Sequence, residues 1–176
     1  MGTTPRPCDC PAGNARRMRL WLEASGVPPA RLGETLAAFQ PRPGTAEALA
    51  AARSFVAGDL TWLLLYGGVG NGKSHLAHGV TLACLEGGRR ALVANALLLL
   101  SELRSVSGTP RMLETMKELG AIPVLVIDDY IWATDLEGRW LEEIVQRRYL
   151  DKRPLLVTTN RDIKDLPAPM LSRFFE

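Results

Sequence analysis

The sequence predicts an α/β fold in which a parallel sheet carries helices on both faces, preceded by a short helical N-terminal segment. Three observations predict it. Four short runs, Trp62–Tyr66, Arg90–Asn95, Val124–Ile127 and Leu155–Thr159, read as strands, and Trp62–Tyr66 is a continuous apolar run ending in glycines, as expected of a strand buried on both faces. Longer stretches with helical spacing separate them. Glycine or proline clusters mark several of the switches, such as Gly87-Gly88. Strand–helix alternation of this kind builds parallel sheets.

Residues 1–11 are rich in Pro, Cys and Gly and read as a tail. Ala12–Ser25 reads as a helix with Met18, Trp21 and Leu22 on its apolar side, broken by Gly26-Val27-Pro28-Pro29. Arg31–Phe39 is a second short element, and Pro41–Gly44 is a turn. Thr45–Ala57 reads as a helix capped by the Thr45 hydroxyl, with Glu47 in its first turn. Lys73–Glu86, Ala96–Arg104 and Arg111–Leu119 read as helices between the strands. Leu136–Leu150 is a helix whose buried stripe is Trp140, Ile144, Val145 and Tyr149.

Composition bounds the function. With 176 residues, the chain has room for one domain and a short extension. Hydrophobic residues at 47% and charged residues at 23% fit a globular core rather than disorder. A net charge of +2 is too mild to argue for nucleic acid by itself. Arg16, Arg17 and Arg19 cluster near the start; Arg147, Arg148, Lys152 and Arg153 cluster near the end. Arg147 and Arg148 suit DNA phosphates and a solvated helix C-terminus equally. Cys8, Cys10 and Cys84 form no disulfide framework, which fits a reducing cytoplasm; Cys8-Asp9-Cys10 lacks the partners of a zinc site. No apolar run reaches membrane-spanning length, so a cytoplasmic protein is expected.

Residues Gly67-Gly68-Val69-Gly70-Asn71-Gly72-Lys73-Ser74 match G-x-x-x-x-G-K-[ST], the phosphate-binding P-loop. The glycines free the backbone to aim N–H groups at phosphate oxygens. The helix opening at Lys73 offers its positive end to the same anion. Lys73 reaches the β- and γ-phosphates, and the Ser74 hydroxyl ligates Mg²⁺. A chance match is expected in roughly one chain in a hundred of this length. A strand before the motif and a helix after it supply the required context. ATP and Mg²⁺ are therefore the expected ligands.

Val124–Asp129 carries a second signal. An apolar strand brings Asp128 to its end, where it can hold Mg²⁺ through water. Asp129 can orient or polarise the attacking water, with a shorter reach than Glu, so slow hydrolysis is expected. Leu155–Asn160 ends a strand in an amide, and Asn160 can bond the γ-phosphate or the water. His75 and His78 suit packing on a helix; His75, adjoining Ser74, is also counted with the residues that bind the nucleotide. The four tryptophans, Trp132 among them, are scattered and suit the core.

These residues resemble those of the bacterial helicase-loader group of AAA+ ATPases, the DnaC-type loaders and the IstB-type transposition helpers. The resemblance runs from about Gly26 to Glu176. It rests on the segment from Val27 to Gly44, on Tyr66–Leu76 as Walker A, on Val124–Asp129 as Walker B, on Thr158-Thr159-Asn160 as sensor 1, and on Leu171-Ser172-Arg173-Phe174 as the box of an arginine finger. It implies residues 1–44 as a tail and a short partner-binding segment, and residues 45–176 as the ATPase core. It implies homo-oligomers with ATP at each interface, where Arg173 of one subunit serves the Lys73 site of the next. The family continues past Phe174 with a fifth strand and a helical lid. The resemblance therefore implies that these are missing here from a shortened chain, leaving Trp62–Tyr66 at a sheet edge.

The function expected first is an ATPase that loads a replicative DNA helicase onto single-stranded DNA. The alternatives are a transposition helper that works with a transposase on duplex DNA, and a nucleotide-binding regulator without turnover.

Overall fold

In the computed structural model, residues 11–131, 136–165 and 168–175 are described. Cys8, Cys10 and Trp132 lie outside them. Eleven helices and strands run in the order α1 (Pro11–Glu23), α2 (Ala46–Ala57), β1 (Trp62–Tyr66), α3 (Lys73–Glu86), β2 (Ala91–Asn95), α4 (Ala96–Ser105), α5 (Pro110–Ala121), β3 (Val124–Asp128), α6 (Leu136–Leu150), β4 (Leu155–Thr159) and α7 (Ala168–Phe175). Short 3₁₀ turns occupy Pro29–Arg31 and Ile163–Asp165. The expected Arg31–Phe39 element is thus only a turn and irregular chain: Gly33 and Pro41 leave too few residues to nucleate a helix.

The four strands form one parallel sheet in the order β1-β4-β3-β2. Its registers pair Tyr66 with Thr159 and Asn95 with Asp128, so the C-terminal strand ends share one rim. Alternation along the strands divides the core. Val124, Val126 and Leu156 face a cluster with Leu49, Phe55, Leu76 and Val80 of α2 and α3. Leu125, Ile127, Leu155 and Val157 face Leu99, Leu103, Leu119, Leu141 and Ile144 of α4, α5 and α6. Each such fully buried side chain contributes about 2 kcal/mol. α1 joins the first cluster through Met18, Trp21 and Leu22.

The two sheet edges differ. At β2, the Val93 N–H donates to Ser25 O at 2.8 Å. Gly26 follows in the left-handed region at φ 75°, and a Cβ there would lie 2.0 Å from Val93 O. Only glycine permits that approach. β1 is the other edge. Trp62, Leu64 and Tyr66 are only partly covered, whereas β3 and β4 are buried throughout. The apolar run at 62–66 therefore does not have both faces buried, because its outer neighbour position holds no strand among the described residues.

Two side chains depart from the sequence reading. The Thr45 hydroxyl does not cap α2: it donates to Arg42 O at 3.0 Å and accepts from Arg42 N–H at 2.8 Å. Pro41 and Pro43 bend the chain so that this local turn wins the hydroxyl. Arg148 faces neither DNA nor solvent. It is fully buried, and its guanidinium donates to the carbonyls of Leu119, Gly120, Ile122, Pro123 and Pro154 at 2.5–3.3 Å. Burial pushes its pKa down to about 10, with Arg153 adding to the fall. Arg147 is half-exposed and pairs with Glu143 at 2.7 Å.

A candidate nucleotide-binding site at the strand ends

The loop between β1 and α3 is shaped by its glycines. Gly67, Gly70 and Gly72 have φ of 129°, 83° and 81°. Gly72 is the residue before α3, and no side chain caps the helix there. The first amides of α3 thus have no side-chain acceptor, which suits an anion. By contrast α4 is capped, because Asn95 Oδ1 accepts from the N–H of Leu97 at 3.1 Å and of Leu98 at 3.4 Å.

Lys73 is 8% exposed and its ammonium donates to Gly67 O and Gly68 O, each at 2.8 Å. Burial lowers its pKa, opposed by the charges of Asp129 and Asp128. The Ser74 hydroxyl donates to Asp128 Oδ1 at 3.2 Å. Two hard oxygen donors this close, one of them a carboxylate, fit Mg²⁺. Val69 is 86% exposed, so its side chain packs on nothing in the site.

The ends of β3 and β4 are tied together. Thr158 Oγ1 donates to Asp128 Oδ1 at 2.5 Å and accepts from the Asp129 N–H at 2.9 Å. Asp129 adopts φ 54°. Asn160 Nδ2 donates to Asp129 Oδ1 at 3.0 Å. One step on, the Tyr130 N–H donates to Thr158 O at 2.7 Å, and the Thr159 hydroxyl donates to Tyr130 O at 2.9 Å. Lys73, Ser74, Asp128, Asp129 and Asn160 are thus gathered at one rim.

The loop's outer side borders a cavity of about 340 Å³ lined by Phe39, Gln40, Arg42, Thr45, Asn71 and His75. Phe39 packs its ring against Gly72 and edge-on to His75, with centroids 5.2 Å apart. His75 Nε2 bonds Thr35 O at 2.9 Å, and His78 Nδ1 pairs with Glu34 at 2.6 Å. Both histidines hold residues 34–39 against α3. Read from the sequence, this stretch is a short element ahead of the core, with no partner on α3. Its signal was Gly79, where a Cβ would lie 2.9 Å from the Leu36 backbone.

Arg173 stands apart. Its guanidinium lies over Tyr149, 5.3 Å from the ring centroid, in a groove of about 640 Å³ shared with Trp62, Lys152 and Phe174. That is the N-terminal end of β1, and Gly67 follows its C-terminal end, roughly 13 Å away along the strand.

A parallel sheet whose first strand runs into a P-loop, with a strand inserted between it and the one that ends at Asp128, just before Asp129, defines the class: a P-loop fold of the AAA+ kind. Solved structures agree. The AMPPCP-bound DnaA from Aquifex aeolicus superposes with a TM-score of 0.74 at 19% identity, over 85% of this chain and 48% of that one. The DnaC helicase loader gives 0.69 at 22% identity, over 84% and 88%. The chain belongs to the IstB-like ATP binding protein family, whose model matches residues 14–168. It is similar to an insertion sequence ATP-binding protein from Sinorhizobium fredii, 31% identical over 158 residues, covering 83% of this chain and 50% of that one. It is also similar to the replicative helicase loader DnaC of Escherichia coli, 28% identical over 131 residues, 70% of this chain and 53% of that one. The chain thus spans about half the length of these two relatives. Among the described residues, no helix is long and apolar enough to cross a membrane.

Proposed function

We propose that this chain binds Mg·ATP at Gly67–Ser74 and hydrolyses it slowly, as the nucleotide-driven subunit of a machine that works on DNA. The observation that carries the reading is the meeting of Ser74 with Asp128, 54 residues apart in sequence, beside a lysine held inside a glycine loop. Bound Mg²⁺ would neutralise charge on the phosphates. The residues supply the rest. The amides of the loop and of the first turn of α3 bind phosphate oxygens, and Lys73 leaves its two carbonyls for the β- and γ-phosphates. Ser74 and Asp128 hold the cation. Asp129, tethered by Asn160, receives the proton of the attacking water. The cavity beside Phe39 and Arg42 has room for the base.

Arg173, at the far end of β1, serves the site of a neighbouring copy in an oligomer, stabilising charge on the transferring phosphate. Residues 1–44 contact the partner protein, and residues 45–176 form the ATPase core. The family match and the insertion-sequence relative favour a transposition helper that works with a transposase on duplex DNA. The likeness to DnaC supports the second reading, loading of a replicative helicase on single-stranded DNA.

Calorimetric titration of Mg·ATP, with Lys73→Ala as control, tests the site. Saturable binding removed by the substitution supports it; absence of binding by folded protein refutes it. Fluorescence anisotropy with ATP then separates the two partners: tighter binding of a labelled duplex points to transposition, tighter binding of a single strand to helicase loading.

A further inference from the structure

We infer that Thr158 is a positioning residue of the site: its hydroxyl fixes the Asp128 carboxylate for the cation and the backbone turn that presents Asp129. The inference rests on the nucleotide reading above. A hydroxyl has one proton to give and lone pairs to accept with. The Asp129 N–H, at 2.9 Å, takes up a lone pair of Thr158 Oγ1. The proton therefore goes to Asp128 Oδ1, at 2.5 Å. Thr158 is fully buried, so water does not compete for either bond.

The consequence differs for the two carboxylates. Asp128 Oδ1 receives both the Thr158 and the Ser74 hydroxyls. When Ser74 turns a lone pair to a cation, the Thr158 bond remains to hold the carboxylate orientation. Groups that orient a ligand in this way tune its hold on the metal. Asp129 is held from its backbone. Its φ of 54° is uncommon for a residue other than glycine, and the bond from its N–H to Thr158 stabilises that turn. Asn160 then sets the direction of the Asp129 side chain. One hydroxyl on β4 thus couples the cation ligand to the residue facing the attacking water. Val at this position would keep the volume and the branched shape but carry no hydroxyl.

Two binding measurements test this on the whole chain. Calorimetry gives ATP affinity in EDTA and in Mg²⁺; electron paramagnetic resonance gives Mn²⁺ affinity in the presence of ATP. In Thr158→Val, Mn²⁺ affinity should fall about tenfold, and the tightening of ATP by Mg²⁺ should fall with it. ATP affinity in EDTA should stay within about twofold, since the loop is untouched. Thr158→Ser should restore the metal affinity. A purely structural role would weaken binding equally with and without metal, and that result overturns the inference, as does unchanged Mn²⁺ affinity in Thr158→Val. If Thr158→Val does not fold, Thr158→Ala against Thr158→Ser reads the same split. Wild-type protein that binds no ATP would instead overturn the nucleotide reading, and this inference with it.

Discussion

The two ends of the sheet solve opposite problems. At the N-terminal end of β3 and β4, the buried Arg148 guanidinium is surrounded by five carbonyls from α5 and the strand entries. At the C-terminal end, Lys73 is held by two loop carbonyls, and Asp128 and Asp129 accept from the Thr158 hydroxyl of β4 and from the Asn160 amide just after it. The first end is closed: its cation ties α5, α6 and β4 together. The second is assembled from groups that can be exchanged for a ligand. Arginine suits the closed end because its planar fork reaches several acceptors and stays charged; lysine suits the open end as a single point charge on a flexible stem. One end is expected to set stability and the other binding.

Arg173 tests that division hardest, because it lies at the N-terminal end of β1 yet is proposed to act in a neighbour's site. Arg173→Ala should leave nucleotide affinity unchanged and lower oligomer-dependent turnover about a thousandfold, measured by phosphate release against protein concentration. Loss of affinity in this variant would sink the trans assignment. Arg148→Met should cost about 3 kcal/mol in urea unfolding, because buried carbonyls lose their donor. The folded fraction should keep its nucleotide affinity, and a selective loss of affinity would break the comparison. Lys73→Ala should show the reverse, with ATP binding weaker by at least about a hundredfold, or about 2.7 kcal/mol, so that no saturation is reached in the titration. Its unfolding free energy should be lowered by no more than about 1 kcal/mol, because the two loop carbonyls it leaves can turn to water.

The smallest effect belongs to the flank. Burial raises the Glu34 pKa, but the bonds to His78 and Arg31 outweigh it and hold the carboxyl below its usual value. A lowered carboxylate pKa stabilises the fold above the unfolded value of 4.5, and that stability is lost as pH falls through the folded value. Glu34→Gln should cost about 1 kcal/mol at about pH 6 and less at about pH 4, below the unfolded value of 4.5. Circular dichroism melts at both pH values check it; a cost undiminished in acid would place the effect in packing instead.

Local signals made most of the fold legible. Trp62–Tyr66, Lys73–Glu86, Leu136–Leu150 and Leu155–Thr159 are read from the sequence with the bounds the structure gives. Their periodicities are strong and glycine or proline marks several of their ends. The gathering of Lys73, Ser74, Asp128, Asp129 and Asn160 at one rim was legible too, because parallel strands bring their C-terminal ends together. What stayed hidden depends on contacts between distant segments. Arg148 lies four residues after Ile144 and so on the buried face of α6, but its charge argues for solvent; only the approach of α5 and β4 supplies the carbonyls that keep it inside. Thr158 sits in a quoted motif, but its partners are 29 and 30 residues away. The Thr45 hydroxyl was claimed by a turn three residues upstream.

Because Lys73 already donates to Gly67 O and Gly68 O, phosphate entry is an exchange rather than an addition. Two amide carbonyls must be given up before the ammonium reaches an incoming oxygen. The loop therefore has an internal competitor at fixed local concentration, and association need not run at the encounter limit. It also has a resting shape, since the ammonium draws the two carbonyls inward and keeps the loop from unravelling between successive nucleotides.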